Sequence, residues 1–218
     1  MKIYLIPGLG FDARMFRNLN LDKEVEKINW IDPSKNETIQ SYAKRLSNKI
    51  DINESNIVLI GHSFGGIMCQ EIASFISIKK IILVSSIKDR SENPFHFKIL
   101  KPIRLYKLFS KELTVKTINF WGSTYDYVSK SEKELVKDMV NNHSNHYLQW
   151  ALKQLSIWKK PRSRTATNLI HIHGELDKTF PITLINKLDY IIKDSGHFMI
   201  YKKSKTIEKI INRELNSI

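Results

Sequence analysis

Short, almost purely apolar runs recur along this chain, and several of the segments between them carry apolar residues at a helical spacing. Lys2 to Ile6 is rich in β-branched and apolar residues and is stopped by Pro7-Gly8, which predicts a buried strand. Val25 to Ile31 predicts a second, stopped by Asp32-Pro33. Asn56 to Ile60 and Lys80 to Ser86 hold the continuous runs Ile-Val-Leu-Ile and Ile-Ile-Leu-Val, as strands buried on both faces do. Leu169 to His173 and Asp189 to Ile192 predict a fifth and a sixth strand. Between them, a short helix is expected over Ala13 to Leu19. Asn36 or Thr38 can cap a helix to about Ile50, with Ile39, Tyr42, Ala43, Leu46 and Ile50 on one face. Further helices are expected from Phe64 to about Ile76 and near Ile182 to Leu188. A last one carries Ile207, Ile210, Ile211 and Leu215 on one face.

This alternation predicts an α/β fold: one domain over residues 1–218, with a mainly parallel sheet of about six strands flanked by helices. From Ile87 to Thr167 the rhythm stops. The stretch is aromatic, with Trp121, Trp150 and Trp158, and helical in pattern. It is too long for a plain loop. Residues 88–167 are therefore expected to form a helical cap inserted between the fourth and fifth strands, with too small a core to be a separate domain.

Charge adds a question. The formal net charge is +13, a balance that can signal nucleic acid or acidic membrane. The lysines are scattered, however, with pairs such as Lys79-Lys80, Lys159-Lys160 and Lys202-Lys203 rather than blocks. No helix-turn-helix, RNA-binding or zinc-finger pattern is present. A solvated basic surface is the favoured reading, and a preference for anionic substrates stays open. The expected partner is a small-molecule substrate, without nucleic acid or stable membrane association. The first apolar run is too short for a signal peptide and is followed at once by Pro7 and Gly8, so a cytoplasmic protein is expected. Cys69 is the only cysteine. It allows no internal disulfide and no multi-cysteine metal site, and it is expected to be a small buried apolar residue.

The candidate chemistry sits where strands end. The third strand runs straight into Gly61-His62-Ser63-Phe64-Gly65-Gly66, where a helix begins. A sharp strand-to-helix turn throws the Ser63 hydroxyl above the sheet edge. Side chains at Gly61 and Gly65 would collide with neighbouring backbone there. The helix start also bares N–H groups beside the nucleophile, where negative charge develops. The Phe64 amide is the expected first oxyanion donor, and the Leu9 amide, in Pro7-Gly8-Leu9-Gly10-Phe11-Asp12 after the first strand, the expected second.

Asp177, in His173-Gly174-Glu175-Leu176-Asp177, follows the fifth strand, and His197, in Ser195-Gly196-His197-Phe198, follows the sixth. Both fall at the edge where open α/β sheets bind ligands. A serine hydroxyl needs a base, which His197 supplies near neutral pH. Asp177 would set the imidazole tautomer and stabilise its charged form. Glu175 and Asp89 are the rival acids. Asp194 is too close to His197 in sequence. His171 and His173 share a strand face and could suggest a metal pair, but no third ligand is evident and buried strand histidines usually hydrogen-bond to neighbours. His143 and His146 read as polar surface, and His62 as a residue that packs and hydrogen-bonds in the turn. Neither metal nor cofactor is expected.

With these residues in hand, the chain resembles the α/β-hydrolase superfamily through PGLGFD at 7–12, GHSFGG at 61–66, HGELD at 173–177 and SGHF at 195–198. The likeness is closest to compact capped members that lack the amino-terminal strands of larger relatives. It departs at the oxyanion loop, where many relatives have His-Gly and this chain has Pro7-Gly8, so side-chain support from a histidine is missing. The resemblance implies an acyl-enzyme hydrolase of a small, partly apolar carboxylic ester or thioester (EC 3.1 class). The alternatives are a carbon–carbon or hydroxynitrile lyase on the same triad, or a non-catalytic small-ligand binding protein. Fold alone does not choose among them.

Overall fold

The structure, a computed structural model, describes residues 1–126, 129–161 and 168–218. Six strands form one sheet: β1 (Lys2–Ile6), β2 (Val25–Lys27), β3 (Ile57–His62), β4 (Lys80–Val84), β5 (Asn168–Gly174) and β6 (Tyr190–Ile192). Their order is β2-β1-β3-β4-β5-β6, and every neighbouring pair is parallel. The apolar runs of β3 and β4 are the central strands, buried along their whole length. That is why they show no polar alternation. The predicted second strand is shorter than expected. It ends at Lys27, although the Ile28 amide still reaches Leu5 O at 2.9 Å. Beyond that point Trp30 turns away to cover the end of β1, donating from Nε1 to Gly8 O at 3.0 Å.

Helix α1 (Ile39–Ser47) starts at Thr38, whose hydroxyl caps the Ser41 amide, and it buries Ile39, Tyr42, Ala43 and Leu46. Helix α2 (Phe64–Ile72) follows β3 without a linker and ends before the predicted Ile76. It packs on α1 and across β1, β3 and β4. Leu83 meets α2 at Gly66. Lys80 lies three residues earlier, hence on the opposite face of the strand. It reaches Glu214 Oε2 at 3.1 Å, so the last helix covers the other side of the sheet. The expected helices at Ala13 to Leu19 and Ile182 to Leu188 are each a single 3-10 turn, Ala13–Phe16 and Ile182–Leu184. The latter buries none of its side chains, so no packing extends it.

Between β4 and β5 lie α3 (Phe95–Lys98), α4 (Lys111–Lys116), α5 (Ile118–Trp121), α6 (Lys130–Asn141) and α7 (Asn145–Ile157). Ser129 and Glu132 form a reciprocal capping box on α6. The stretch assigned to the cap from sequence includes residues 127–128 and 162–167, which lie outside the described residues. After β6 the chain ends in α8 (Met199–Lys202) and α9 (Ser204–Asn216), with Ile207, Ile211 and Leu215 buried. Among the described residues, no helix is long and apolar enough to cross a membrane.

Candidate active site

The turn from β3 into α2 holds Ser63 at φ 52° and ψ −121°, a conformation that costs a non-glycine residue about 1–3 kcal/mol. Neighbours hold it there. The Ser63 amide donates to Val84 O at 3.0 Å, and the Ser86 hydroxyl donates to Ser63 O at 2.7 Å. The two glycines are needed for contact rather than for their own dihedrals. A Cβ at Gly65 would strike the carbonyl oxygens of Ile6 and Pro7, and one at Gly61 would come within 2.5 Å of the Gly65 backbone.

Asp177 and His197 lie on two loops stitched together at the ends of β5 and β6. Glu175 N donates to Ile192 O at 3.0 Å, and Leu176 N donates to Ser195 O at 2.9 Å. The result is a continuous relay. Ser63 Oγ lies 2.9 Å from His197 Nε2, and His197 Nδ1 lies 2.8 Å from Asp177 Oδ2. The second carboxylate oxygen, Oδ1, accepts the Thr179 and Phe180 amides at 2.8 and 2.9 Å. Burial alone would raise the Asp177 carboxyl. The facing His197 and these hydrogen bonds outweigh it and hold the group below the usual carboxylate range. The rival acids sit elsewhere. Asp89 caps the turn at Ser91 and faces Lys160 at 3.6 Å, while Glu175 is exposed and accepts from Asp194 N at 3.2 Å.

The other histidines are structural, as their surroundings suggest. His62 Nε2 donates to His197 O at 2.8 Å, bracing the loop of His197 from the serine turn. His171 Nε2 donates to Ser86 O at 3.0 Å, and His173 Nε2 donates to Phe180 O at 2.8 Å. No group of three or more His, Cys, Asp or Glu able to hold a metal occurs among the described residues. Cys69 is fully buried and its thiol is pushed up by that burial. Burial also holds His62 and His171 down to about 3. In the unfolded chain each takes up a proton near pH 6.5; in the folded chain neither does until about pH 3. Their neutral burial therefore contributes stability in full above pH 6.5, and this is lost as pH falls through that window. Each histidine is expected to cost about 1 kcal/mol per pH unit there. Urea midpoints measured from pH 7 to pH 5 should fall steadily, and a flat profile would contradict the assignment.

Leu9 and Phe64 border the same cavity as Ser63 and His197. Phe64 is the first residue of α2, and the first amides of a helix have no partner within it. Supports of this region that escaped the sequence reading include Trp30 and Asp126. Trp30 ties down Gly8 O, and the His62 ring lies under the same glycine, where a Cβ would meet Nδ1 at 2.8 Å. The loop after β1 is thus braced from the segment beyond β2 and from the serine turn. Asp126 accepts the Gly196 amide at 3.2 Å and Lys202 Nζ at 3.0 Å, which fastens the helical segment to the loop of His197. The Tyr125 and Phe180 rings stand edge-on to the imidazole, at 5.9 and 5.6 Å. An aromatic residue just beyond β2 was a visible signal for Trp30. Asp126 carried none.

The cavity over Ser63 measures about 460 Å³. Its floor is Leu9, Phe11, Ser63, Phe64, Phe180 and His197, and its walls come largely from the helices between β4 and β5, including Phe97, Trp121, Val136, Val140, Leu148 and Leu152. Thr114, Thr117, Thr179 and Tyr125 add hydroxyls, but no Lys, Arg, Asp or Glu lines it among the described residues.

Comparison with known proteins bears on the family and the fold. A family model described as serine hydrolase matches residues 11–131, more than half of the chain and the part that contains Ser63. No curated protein matches in sequence. Among solved structures, MenH from S. aureus aligns with a TM-score of 0.76 at 17% identity, over 100% of this chain and 94% of its own. An esterase from Exiguobacterium antarcticum aligns with a TM-score of 0.77 at 15% identity, over 99% and 92%. BorB, a type II thioesterase from the borrelidin biosynthetic cluster, aligns with a TM-score of 0.68 at 16% identity, over 98% and 92%. At these identities the likeness speaks for the fold, and the family match carries the rest: the chain belongs to the serine hydrolase family, on the α/β-hydrolase fold.

Proposed function

We propose that the protein hydrolyses a carboxylic ester or thioester with an apolar acyl group, through an acyl-enzyme on Ser63. The observation that carries this reading is the unbroken Ser63–His197–Asp177 relay opening into an apolar cavity. His197 Nε2 takes the Ser63 proton as Oγ attacks the acyl carbonyl, and Asp177 stabilises the resulting imidazolium. The Leu9 and Phe64 amides receive the oxyanion. His197 then returns its proton to the leaving alcohol or thiol. Water, deprotonated by the same imidazole, releases the acid and restores Ser63.

The helices between β4 and β5 act as the cap in this reading, and they set the acyl preference. The lyase alternative calls for polar cap groups over Ser63; the cap brings hydroxyls at Thr114, Thr117 and Tyr125 to the cavity but no charged side chain among the described residues, and the predominantly apolar lining favours the hydrolase. A non-catalytic receptor has no use for a base hydrogen-bonded to its serine. Each added CH₂ buried in such a cavity contributes about 0.8 kcal/mol, or roughly fourfold. p-Nitrophenyl esters are therefore expected to rise in kcat/KM by about that factor per methylene from acetate until the cavity fills. A fluorophosphonate probe should label Ser63, located by mass spectrometry after digestion. Labelling elsewhere, or a profile flat with chain length, would sink the proposal.

A further inference from the structure

The cavity has a mouth, and the mouth has a distinctive surface. Of the side chains that line the cavity, three are exposed among the described residues: Phe109, Leu113 and Phe120, the last 89% exposed. A group that borders both cavity and solvent marks the opening, opposite the buried Ser63 and His197. These three belong to a segment, residues 95–120, that also exposes Phe95, Ile103, Leu105 and Leu108. Isolated surface apolars are ordinary; several large ones exposed on one short segment that reaches the entrance of the cavity point to a contact surface.

The same segment contains Lys98, Lys101, Arg104, Lys107, Lys111 and Lys116 against a single acid, Glu112. None of the six cations makes an ion pair with the protein among the described residues. Cations and large apolars therefore interleave along the segment that borders the mouth. Long cationic stems can lie along headgroups while the apolar side chains between them enter the acyl boundary. We propose that this face docks reversibly on an anionic phospholipid surface, and that the acyl substrate enters the cavity from there. The second clause rests on the hydrolase reading above; the docking does not. An acidic protein could match the charge. It would, however, have to supply a shaped apolar partner for side chains as far out as Phe120, which a bilayer accommodates without one. The contact is a surface one, in keeping with the lack of a membrane-crossing helix among the described residues.

The test is co-sedimentation of the full chain carrying Ser63→Ala, so that no lipid is consumed. The vesicles are phosphatidylcholine alone or phosphatidylcholine with about one third phosphatidylglycerol. Binding is expected to be at least about tenfold tighter to the anionic vesicles and to weaken with salt. Adding Arg104→Glu, Lys107→Glu and Lys116→Glu should weaken it by at least about a hundredfold. The same triple reversal in the Ser63 protein should leave turnover of a soluble short-chain p-nitrophenyl ester unchanged, since none of the three lines the cavity. No vesicle binding, equal binding to both vesicles, or indifference to the triple reversal would overturn the docking. So would binding to a soluble acidic protein with none to vesicles. Intact vesicle binding beside an absence of soluble-ester turnover by the unsubstituted protein would refute the hydrolase reading and leave the docking standing.

Discussion

Replacing Ser63 by alanine is expected to lower kcat for a soluble ester by a factor on the order of a million, with little change in stability. In the proposed mechanism the Ser63 hydroxyl oxygen forms the acyl bond, and no other residue of the cavity floor carries a hydroxyl. Some rate above water should survive, because the Leu9 and Phe64 amides and the apolar walls still bind and polarise the carbonyl. The fold should hold because the backbone of residue 63 is kept by Val84 and Ser86 rather than by its side chain. The hydroxyl hydrogen-bonds to His197, and deleting it leaves one imidazole nitrogen without that partner, a cost of about 1 kcal/mol. Kinetics and urea unfolding on the same preparation check both halves. A variant that keeps turnover means the reaction does not pass through Ser63.

Asp177→Asn is expected to lower kcat by about ten-thousandfold, again on a folded protein. The reason is in the two oxygens of the carboxylate. Oδ1 accepts two backbone amides, from Thr179 and Phe180, so an asparagine must place its carbonyl oxygen there. Its NH₂ group is then forced into the position of Oδ2, facing His197 Nδ1 at 2.8 Å. A donor at that position requires Nδ1 to be the acceptor and Nε2 to carry the proton. The imidazole then offers Ser63 a donor where catalysis needs a base. Asp89→Asn is the control. It alters an exposed turn cap beside Lys160, and turnover should not move. If Asp89→Asn silences the enzyme and Asp177→Asn does not, the acid has been misassigned.

Much of the fold was legible because its signals are local. A strand buried on both faces must be continuously apolar, and β3 and β4 read that way at sight. The serine turn was legible for the same reason. The clash that demands Gly61 involves backbone that the turn itself brings close, whereas Gly65 is demanded by Ile6 and Pro7 at the end of β1, which only the sheet brings near. Less was legible where packing, not pattern, sets an element's length. Val25 to Ile31 has strand composition throughout, yet β2 ends at Lys27 and Trp30 leaves the sheet to cover the loop after β1. Ile182 to Leu188 has helical spacing but makes only a 3-10 turn, because no buried contact sustains it.

What the sequence by itself determined about this protein is the set of chemical groups and the strand ends from which they project. Hydrophobic period names the strands, and the chain order of Ser63, Asp177 and His197 distributes three roles over three of their carboxyl ends. Only the tertiary structure decided which carboxylate meets His197, because Glu175 and Asp177 lie two residues apart on one loop and the loop turns them to different sides. It also decided the shape and polarity of the cavity, the tie from Asp126 to the His197 loop, and the exposed apolar residues at the mouth. These join residues far apart in the chain. Side-chain direction in a short irregular helix is fixed by what it packs against, and no spacing along the sequence encodes that.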